Sequence, residues 1–277
     1  MRKRLPIAAG LALPLLLAVV GVAWWTRGQP PPDTEAAETL PIPPVPPRVA
    51  QGERYEHCLA MLADDPHGAQ GFAESWTITG GGDAGAAHCL ALARIALGDP
   101  AAGAALLERI AGGSAAPGAA RAVVFDQAAQ AWLMAGAADR AFADATEAVT
   151  LSPDSPDLLI DRALAAEALQ RWQDAVEDLS RALEGDPRRP DALVLRGSAL
   201  RHLGRVTLAR EDVDRALALD PDDAEALLER GILRQRGDDR GGARADWERA
   251  IALAPDSQAA DLAQQNLALL EAGPERR

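Results

Sequence analysis

The chain has almost no lysine and few aromatic residues. Lys3 is its single lysine among 277 residues, aromatic side chains make up 4%, and two cysteines occur. It has no Gly-x-Ser-x-Gly motif, no glycine loop followed by lysine and no Cys-x-x-Cys pair. These absences exclude an α/β-hydrolase nucleophile, a phosphate-cradling loop and a thioredoxin-type redox motif. We therefore expect no enzymatic activity and no cofactor.

Positive charge is scarce beyond the N-terminus. The formal net charge is −13, and it becomes −17 when residues 2–4 and Arg27, which precede any acid, are set aside. A body this acidic repels phosphate backbones and anionic headgroups. Nucleic-acid binding and peripheral membrane binding are therefore excluded. With 48% hydrophobic residues, the chain is nevertheless apolar enough to fold.

The longest apolar run lies close to the N-terminus. Residues 5–25 are uncharged, follow the positive cluster at residues 2–4 and end in two tryptophans. At about 1.5 Å per residue, this run spans the roughly 30 Å of a bilayer core. We predict a signal anchor over residues 1–27: a single-pass transmembrane helix in a bacterial inner membrane, with the C-terminal domain in the periplasm. The alternative is a signal peptide cleaved after the small residues 21–23.

Residues 28–50 form a proline-rich linker. They contain eight prolines and little other apolar bulk. Such a composition favours extended polyproline II, at about 3.1 Å per residue, over a packed core. We predict a spacer between the membrane and the following domain.

A period of 34 residues runs through the second half of the chain. The prolines that mark it are Pro153, Pro187, Pro221 and Pro255. Small residues recur in the same frame: Ala141, Ala175, Ala209 and Ala243; Ala148, Ala182, Ala216 and Ala250; Ala129, Ala163, Gly197 and Gly231. Larger residues recur between them, including Leu179, Val213 and Trp247. A fixed period of this length indicates stacked supersecondary units.

With this period and these small residues, the sequence resembles the tetratricopeptide-repeat family, whose unit is a helix–turn–helix of 34 residues. The resemblance implies an all-α fold, a right-handed α-solenoid, with repeats at 122–155, 156–189, 190–223 and 224–257. Residues 258–273 are expected to form a C-terminal capping helix, in which Leu262, Leu267, Leu269 and Leu270 cover the end of the stack. Residues 51–121 lack the strict frame and are expected to form two irregular hairpins, with helices near 53–64, 66–78, 84–97 and 100–111.

Three repeats depart from the family pattern by carrying arginine at their seventh position. These arginines are Arg162, Arg196 and Arg230, and they recur with Asp178, Asp212 and Asp246 at position twenty-three. They could line a groove for acidic ligands or staple the two helices of each repeat. Because arginine and aspartate recur in register, we predict that Arg196 contacts an aspartate such as Asp212.

Both cysteines fall in the irregular hairpins, and each follows a histidine. The pairs are His57-Cys58 and His88-Cys89. In an exported protein an even count favours a disulfide between Cys58 and Cys89. Unpaired buried thiols, or a metal or redox site, are the alternatives. A metal site gains from the two pairs, but adjacent helical residues point about 100° apart and can hardly face one ion.

The resemblance places a ligand groove on the first helix of each repeat, at positions two, five, nine, twelve and thirteen. Carried over residue by residue, the predicted groove residues are Asp157, Ile160, Leu164, Glu167, Asp191, Val194, Ser198, Arg201, His202, Leu228, Ile232, Gln235 and Arg236. An apolar stripe would then run between an acidic edge and a more basic one. Such a surface suits an extended or helical segment of another protein, although some of these apolar residues could simply pack in the core.

These observations predict a membrane-anchored periplasmic scaffold that binds another exported or membrane protein. Envelope or cytochrome assembly is the setting that similar membrane-attached repeat proteins imply. The alternative is a metal- or redox-handling accessory protein that uses the two His-Cys pairs. Self-association into a homo-oligomer through the convex face is a further alternative.

Overall fold

The computed structural model describes residues 48–80 and 84–272. Within these ranges the chain is helical, with no strand, and forms thirteen α-helices. Six precede or open the repeats: α1 (Glu53–Met61), α2 (Pro66–Gly80), α3 (Ala84–Ala96), α4 (Pro100–Gly113), α5 (Gly118–Met134) and α6 (Ala138–Leu151). The others are α7 (Pro156–Ala168), α8 (Trp172–Gly185), α9 (Pro190–His202), α10 (Val206–Leu219), α11 (Ala224–Arg236), α12 (Arg240–Leu253) and α13 (Gln258–Ala272).

The predicted signal anchor and nearly all of the proline-rich linker lie outside the described residues. Among the residues that are described, no helix combines the length and apolar character needed to cross a bilayer.

Helix starts and stops follow the sequence signals. Asp99 precedes Pro100, and its carboxylate accepts a hydrogen bond from the Ala102 N–H at 3.2 Å. This cap satisfies one of the free donors in the first turn of α4. Helices α6, α8, α10 and α12 each end two residues before one of the four periodic prolines. A proline cannot continue the hydrogen-bond ladder, so it fixes the end of each unit.

The helices stack as consecutive antiparallel pairs around one continuous core. Each helix from α3 onward packs against its neighbours in the chain, and the apolar core extends from Ala91 to Leu270. The first helices of successive units (α5, α7, α9, α11 and α13) also contact one another. They therefore form the inner, concave layer, and the second helices α6, α8, α10 and α12 form the outer one.

The arginine–aspartate ladder joins the two helices of each repeat. Arg196 donates from Nε and Nη2 to the two carboxylate oxygens of Asp212, both at 2.7 Å. Arg162 binds Asp178 and Arg230 binds Asp246 in the same bidentate way. The predicted contact is confirmed, and the alternative in which these arginines line a groove is wrong.

Glycine at the crossing of α11 and α12 makes room for a tryptophan. A Cβ added to Gly231 would lie 2.6 Å from Cδ1 and 2.8 Å from Cε2 of Trp247. The indole is fully buried, and its Nε1–H donates to the Leu228 carbonyl at 3.2 Å. In the second repeat the equivalent positions are occupied by Ala163 and Leu179. The size of one residue at the crossing thus sets the size of the other.

Gly231→Ala is expected to lower the free energy of unfolding by about 1–2 kcal/mol, because overpacking outweighs the roughly 1 kcal/mol gained in helix propensity. Trp247→Leu in that background recreates the pairing of Ala163 with Leu179. It should therefore cost less than Trp247→Leu alone. Denaturant unfolding of the four proteins measures this coupling. Gly241→Ala, at a glycine with open space around it, is the control and should not destabilise; additive losses would contradict the prediction.

The last helix continues the repeat frame and does not simply close the stack. Leu270 is buried and Leu267 packs against the core, but Leu262 and Leu269 are 40% and 68% exposed. The prediction that all four leucines cover the end is therefore wrong for Leu262 and Leu269. The reason is that α13 begins 34 residues after α11, so Leu262 occupies the register of Leu228 on the inner layer. Its outward face carries exposed Gln264 and Gln265.

Candidate functional site

The floor of the concave groove is made of packed apolar side chains. Ile160, Val194 and Leu228 occupy the fifth position of their repeats and are only 5%, 6% and 9% exposed. They pack mainly among the helices and offer a ligand little surface. An aspartate at any of them would be buried without a partner, so they are poor choices for testing binding.

Exposed apolar surface lies beside this floor. Leu164 is 36% exposed and Ile232 is half-buried. The groove continues past the predicted residues to Leu262 and Leu269 on α13, and Met134, on α5, is 66% exposed. Extending the 34-residue frame into α13 would have found both leucines from the sequence. Several partly exposed apolar side chains therefore line the inner layer.

One edge of the groove is acidic. A cavity of about 440 Å³ lies between α7, α9 and α11. Its lining includes predicted residues and four others, which are Asp161, Arg189, Leu195 and Glu225. Position six of the repeat, which supplies Asp161 and Leu195, is absent from the groove positions carried over from the family. Its inward orientation depends on how the first helices pack, which the sequence period alone does not specify.

Arg189 joins the acidic edge across two repeats. It donates to Asp157 at 2.6 Å and to Asp191 at 3.0 and 2.6 Å. The guanidinium lowers the pKa of Asp191. Glu225 lacks such a partner, and burial, together with the nearby carboxylates of Asp223 and Asp191, raises its pKa.

Two further carboxylates, Asp126 and Asp161, lie side by side near this edge. The Gln130 amide donates to Asp126 at 3.1 Å and to Asp161 at 3.2 Å. Asp126 Oδ1 is buried and has no hydrogen-bond partner. Burial and the neighbouring Asp161 carboxylate raise the pKa of Asp126, and burial also raises that of Asp161. The pair holds more negative charge than its protein surroundings neutralise.

The opposite edge contains the predicted Arg201, but its charge is already paired. Arg201 is 8% exposed and forms an ion pair with buried Glu229. It also donates to Ser198 at 3.3 Å. Glu167 lies near this pair, and burial raises its pKa to about 7. Arg201 is therefore a structural residue of the inner layer more than a free contact.

The remaining predicted residues of this edge reach the surface. His202 is exposed and stacks on Trp172 with ring centroids 3.9 Å apart. Burial and the nearby charges of Arg201 and Arg236 lower its pKa. Arg236 is exposed, and Gln235 is half-buried. This edge is consequently less basic than the sequence predicts.

The irregular hairpins are held together by a disulfide and a polar triad. The structure pairs Cys58 of α1 with Cys89 of α3, with Cα atoms 6.2 Å apart. Beside it, Tyr55 Oη lies 2.7 Å from His88 Nδ1, and His88 Nε2 lies 2.7 Å from Gln127 Oε1. Both ring nitrogens of His88 therefore have partners, and the triad links α1 and α3 to the first repeat.

The two His-Cys pairs do not converge on one point. His57 packs edge-on against Phe72, with ring centroids 5.1 Å apart, whereas His88 is held by the triad. Nowhere in residues 48–80 and 84–272 do three or more His, Cys, Asp or Glu side chains gather in a way that could hold a metal ion.

Because His88 is buried as a neutral ring, its pKa is lowered. The unfolded chain therefore takes up this proton at a higher pH than the folded chain. The stabilisation is present above about pH 6.5 and is lost as the pH falls further. We expect unfolding experiments between about pH 7.5 and 5 to show a flatter pH dependence for His88→Gln than for the natural chain. His67→Gln, at an exposed histidine of α2, is the control; equal slopes for His88→Gln and the natural chain would contradict the prediction.

Comparisons with known proteins agree with this architecture. Residues 160–224 match the family model of the tetratricopeptide repeat. Pseudomonas aeruginosa pilF has a similar structure, with 16% identity, a TM-score of 0.58, and coverage of 77% of this chain and 96% of that one. The Thermus thermophilus protein TTC0263 gives 22% identity and a TM-score of 0.54, over 66% and 98% of the two chains.

A third similar structure is YrrB, described as a tetratricopeptide-repeat protein with an unusual peptide-binding site. It gives 18% identity and a TM-score of 0.51, covering 78% of this chain and 99% of YrrB. No curated protein sequence matches the chain. Residues 160–224 therefore carry tetratricopeptide repeats, and the described helices share the α-solenoid fold of tetratricopeptide-repeat proteins.

Proposed function

We propose that this chain is a non-catalytic interaction scaffold, anchored in the bacterial inner membrane by residues 5–25. Its solenoid would project into the periplasm and bind a peptide or helix of another exported or membrane protein in the concave groove. The apolar run behind a positive N-terminal cluster supports the anchor and its orientation. The likeness to YrrB, whose title names a peptide-binding site, supports a peptide ligand.

The observation that carries the proposal is apolar surface left uncovered on the inner layer. Leu164, Leu262 and Leu269 are 36%, 40% and 68% exposed on helices whose other sides are packed. Large apolar side chains that share one concave face are typical of a binding groove for an apolar-anchored segment. The cavity of about 440 Å³ beside Leu164 provides room for a side chain of the ligand.

The test is a crosslinking pull-down from membranes with the full-length chain. We expect partner proteins captured by the natural chain to be lost when Leu164, Leu262 and Leu269 are all replaced by serine. Each loses little buried area, so circular dichroism should show unchanged helicity.

The matched control replaces three leucines of the outer layer by serine. Leu208, Leu219 and Leu253 are 49%, 38% and 42% exposed, on α10 and α12. Retention of the same partners by this control is expected. If the inner variant retains them as well, or if both variants lose them, the groove is not the binding surface.

A further inference from the structure

Resting on the proposed function, we infer that the segment bound in the groove is cationic: arginine or lysine side chains face the acidic edge while apolar residues contact Leu164 and the leucines of α13. The inference concerns the chemistry of the ligand, which the fold leaves open. It follows from charge that the described residues leave unmatched along one edge.

The acidic edge carries five carboxylates and one neutralising cation. The acids are Asp126, Asp157, Asp161, Asp191 and Glu225. Arg189 is the only cation lining the cavity between α7, α9 and α11, and it is already engaged by Asp157 and Asp191. Asp126, Asp161 and Glu225 are left without a guanidinium or ammonium partner among the hydrogen bonds and ion pairs of the described residues.

The pair of Asp126 and Asp161 has unused capacity to accept hydrogen bonds. A single amide, that of Gln130, donates to both carboxylates, and Asp126 Oδ1 is buried without a partner. A buried acceptor without a donor costs free energy, and two adjacent carboxylates repel each other. An arginine or lysine side chain from a ligand would supply donors and remove the repulsion at once.

The other edge does not offer an equal attraction for an acidic ligand. Arg201 is neutralised by Glu229, and His202 is stacked on Trp172 with its pKa lowered. Arg236 is the exposed arginine that remains among the predicted residues of this edge. An acidic segment, including a second copy of this chain with its net charge of −13, would meet like charge over most of the groove.

The test uses three labelled probe peptides of about twelve residues that alternate leucine with a second residue. That residue is arginine in the first, glutamine in the second and glutamate in the third. Binding to the full-length chain is measured by fluorescence anisotropy. The arginine probe is expected to bind at least about tenfold more tightly than either of the others.

Substitutions then locate the charge that is responsible. Asp126→Asn with Asp161→Asn is expected to weaken the arginine probe at least about tenfold and to leave the glutamine probe unchanged. These changes remove repulsion between neighbours, so folding should not suffer. The control is Glu147→Gln with Glu184→Gln, two exposed acids of the outer layer, which changes net charge equally and should alter affinity by less than about twofold.

Three results would overturn the inference. Equal weakening by both double variants would show non-specific attraction to an acidic protein. Tighter binding of the glutamine or glutamate probe would leave the groove as a binding surface but with a ligand of different charge. Binding of none of the probes would also overturn it, while the crosslinking experiment with the leucine variants judges the proposed function separately.

Discussion

Replacing Arg196 by methionine is expected to lower the free energy of unfolding by about 3–5 kcal/mol. The guanidinium makes two bonds of 2.7 Å to Asp212, whose side chain is only 6% exposed. Methionine fills much of the same volume but leaves the carboxylate buried without a cation. The loss therefore comes mainly from the charge left behind, and less from the contact removed.

The first repeat already shows what such a carboxylate does. Its seventh position is Ala128, so Asp144, in the register of Asp212, has no arginine from the first helix, and its Oδ2 has no hydrogen-bond partner. Burial and the nearby carboxylate of Glu108 raise the pKa of Asp144 to about 7. Its ionised form is thus the one that folding disfavours, and a proton relieves the cost.

Two comparisons test this explanation for Arg196→Met. The loss should be smaller at about pH 5 than at pH 8, because protonation of the stranded carboxyl removes its charge. Adding Asp212→Leu should recover much of the loss, since an apolar pair leaves no buried charge. Arg188→Met, at an exposed arginine of the same region, should change stability by less than about 0.5 kcal/mol. A loss that is independent of pH and of Asp212 would contradict the explanation.

Much of the fold could be predicted because its period is written in residue sizes. Small residues at Ala175 and Gly197 and prolines such as Pro187 constrain the backbone locally, so each can be read without knowing its neighbours in space. The pairing of Arg196 with Asp212 could also be predicted, since both residues recur in the same register. These features repeat, and repetition is visible in one sequence.

The site was less predictable because it depends on how far each side chain protrudes. Ile160 shares a face with Leu164, but packing between successive first helices buries the former and leaves the latter exposed. The clustering of Asp126 with Asp161 joins position five of one repeat to position six of the next. That contact is set by the spacing of the helices, which no periodicity in the sequence reports.

Removing the disulfide is expected to destabilise the N-terminal hairpins by about 3–4 kcal/mol, from the loop of 31 residues that it closes in the unfolded chain. Helix α1 is short, and of its residues only Tyr55 and Cys58 are buried. The disulfide and the bond from Tyr55 to His88 are therefore its main attachments to α3. Because a solenoid unfolds in parts, the loss should be concentrated in α1 to α3 and should barely reach α9 to α12.

Hydrogen exchange compares the natural chain with Cys58→Ala, Cys89→Ala. Amides of α1 and α3 should lose protection in the double variant, and reduction of the natural chain with dithiothreitol should reproduce the loss. The same reductant should leave the double variant unchanged, which separates the disulfide from other effects of the reagent. Two titratable thiols in the untreated chain, or unchanged protection of α1 after reduction, would contradict the prediction. Either result would return weight to the two cysteines as unpaired or metal-binding residues, because a thiol that is free after export remains available for both roles.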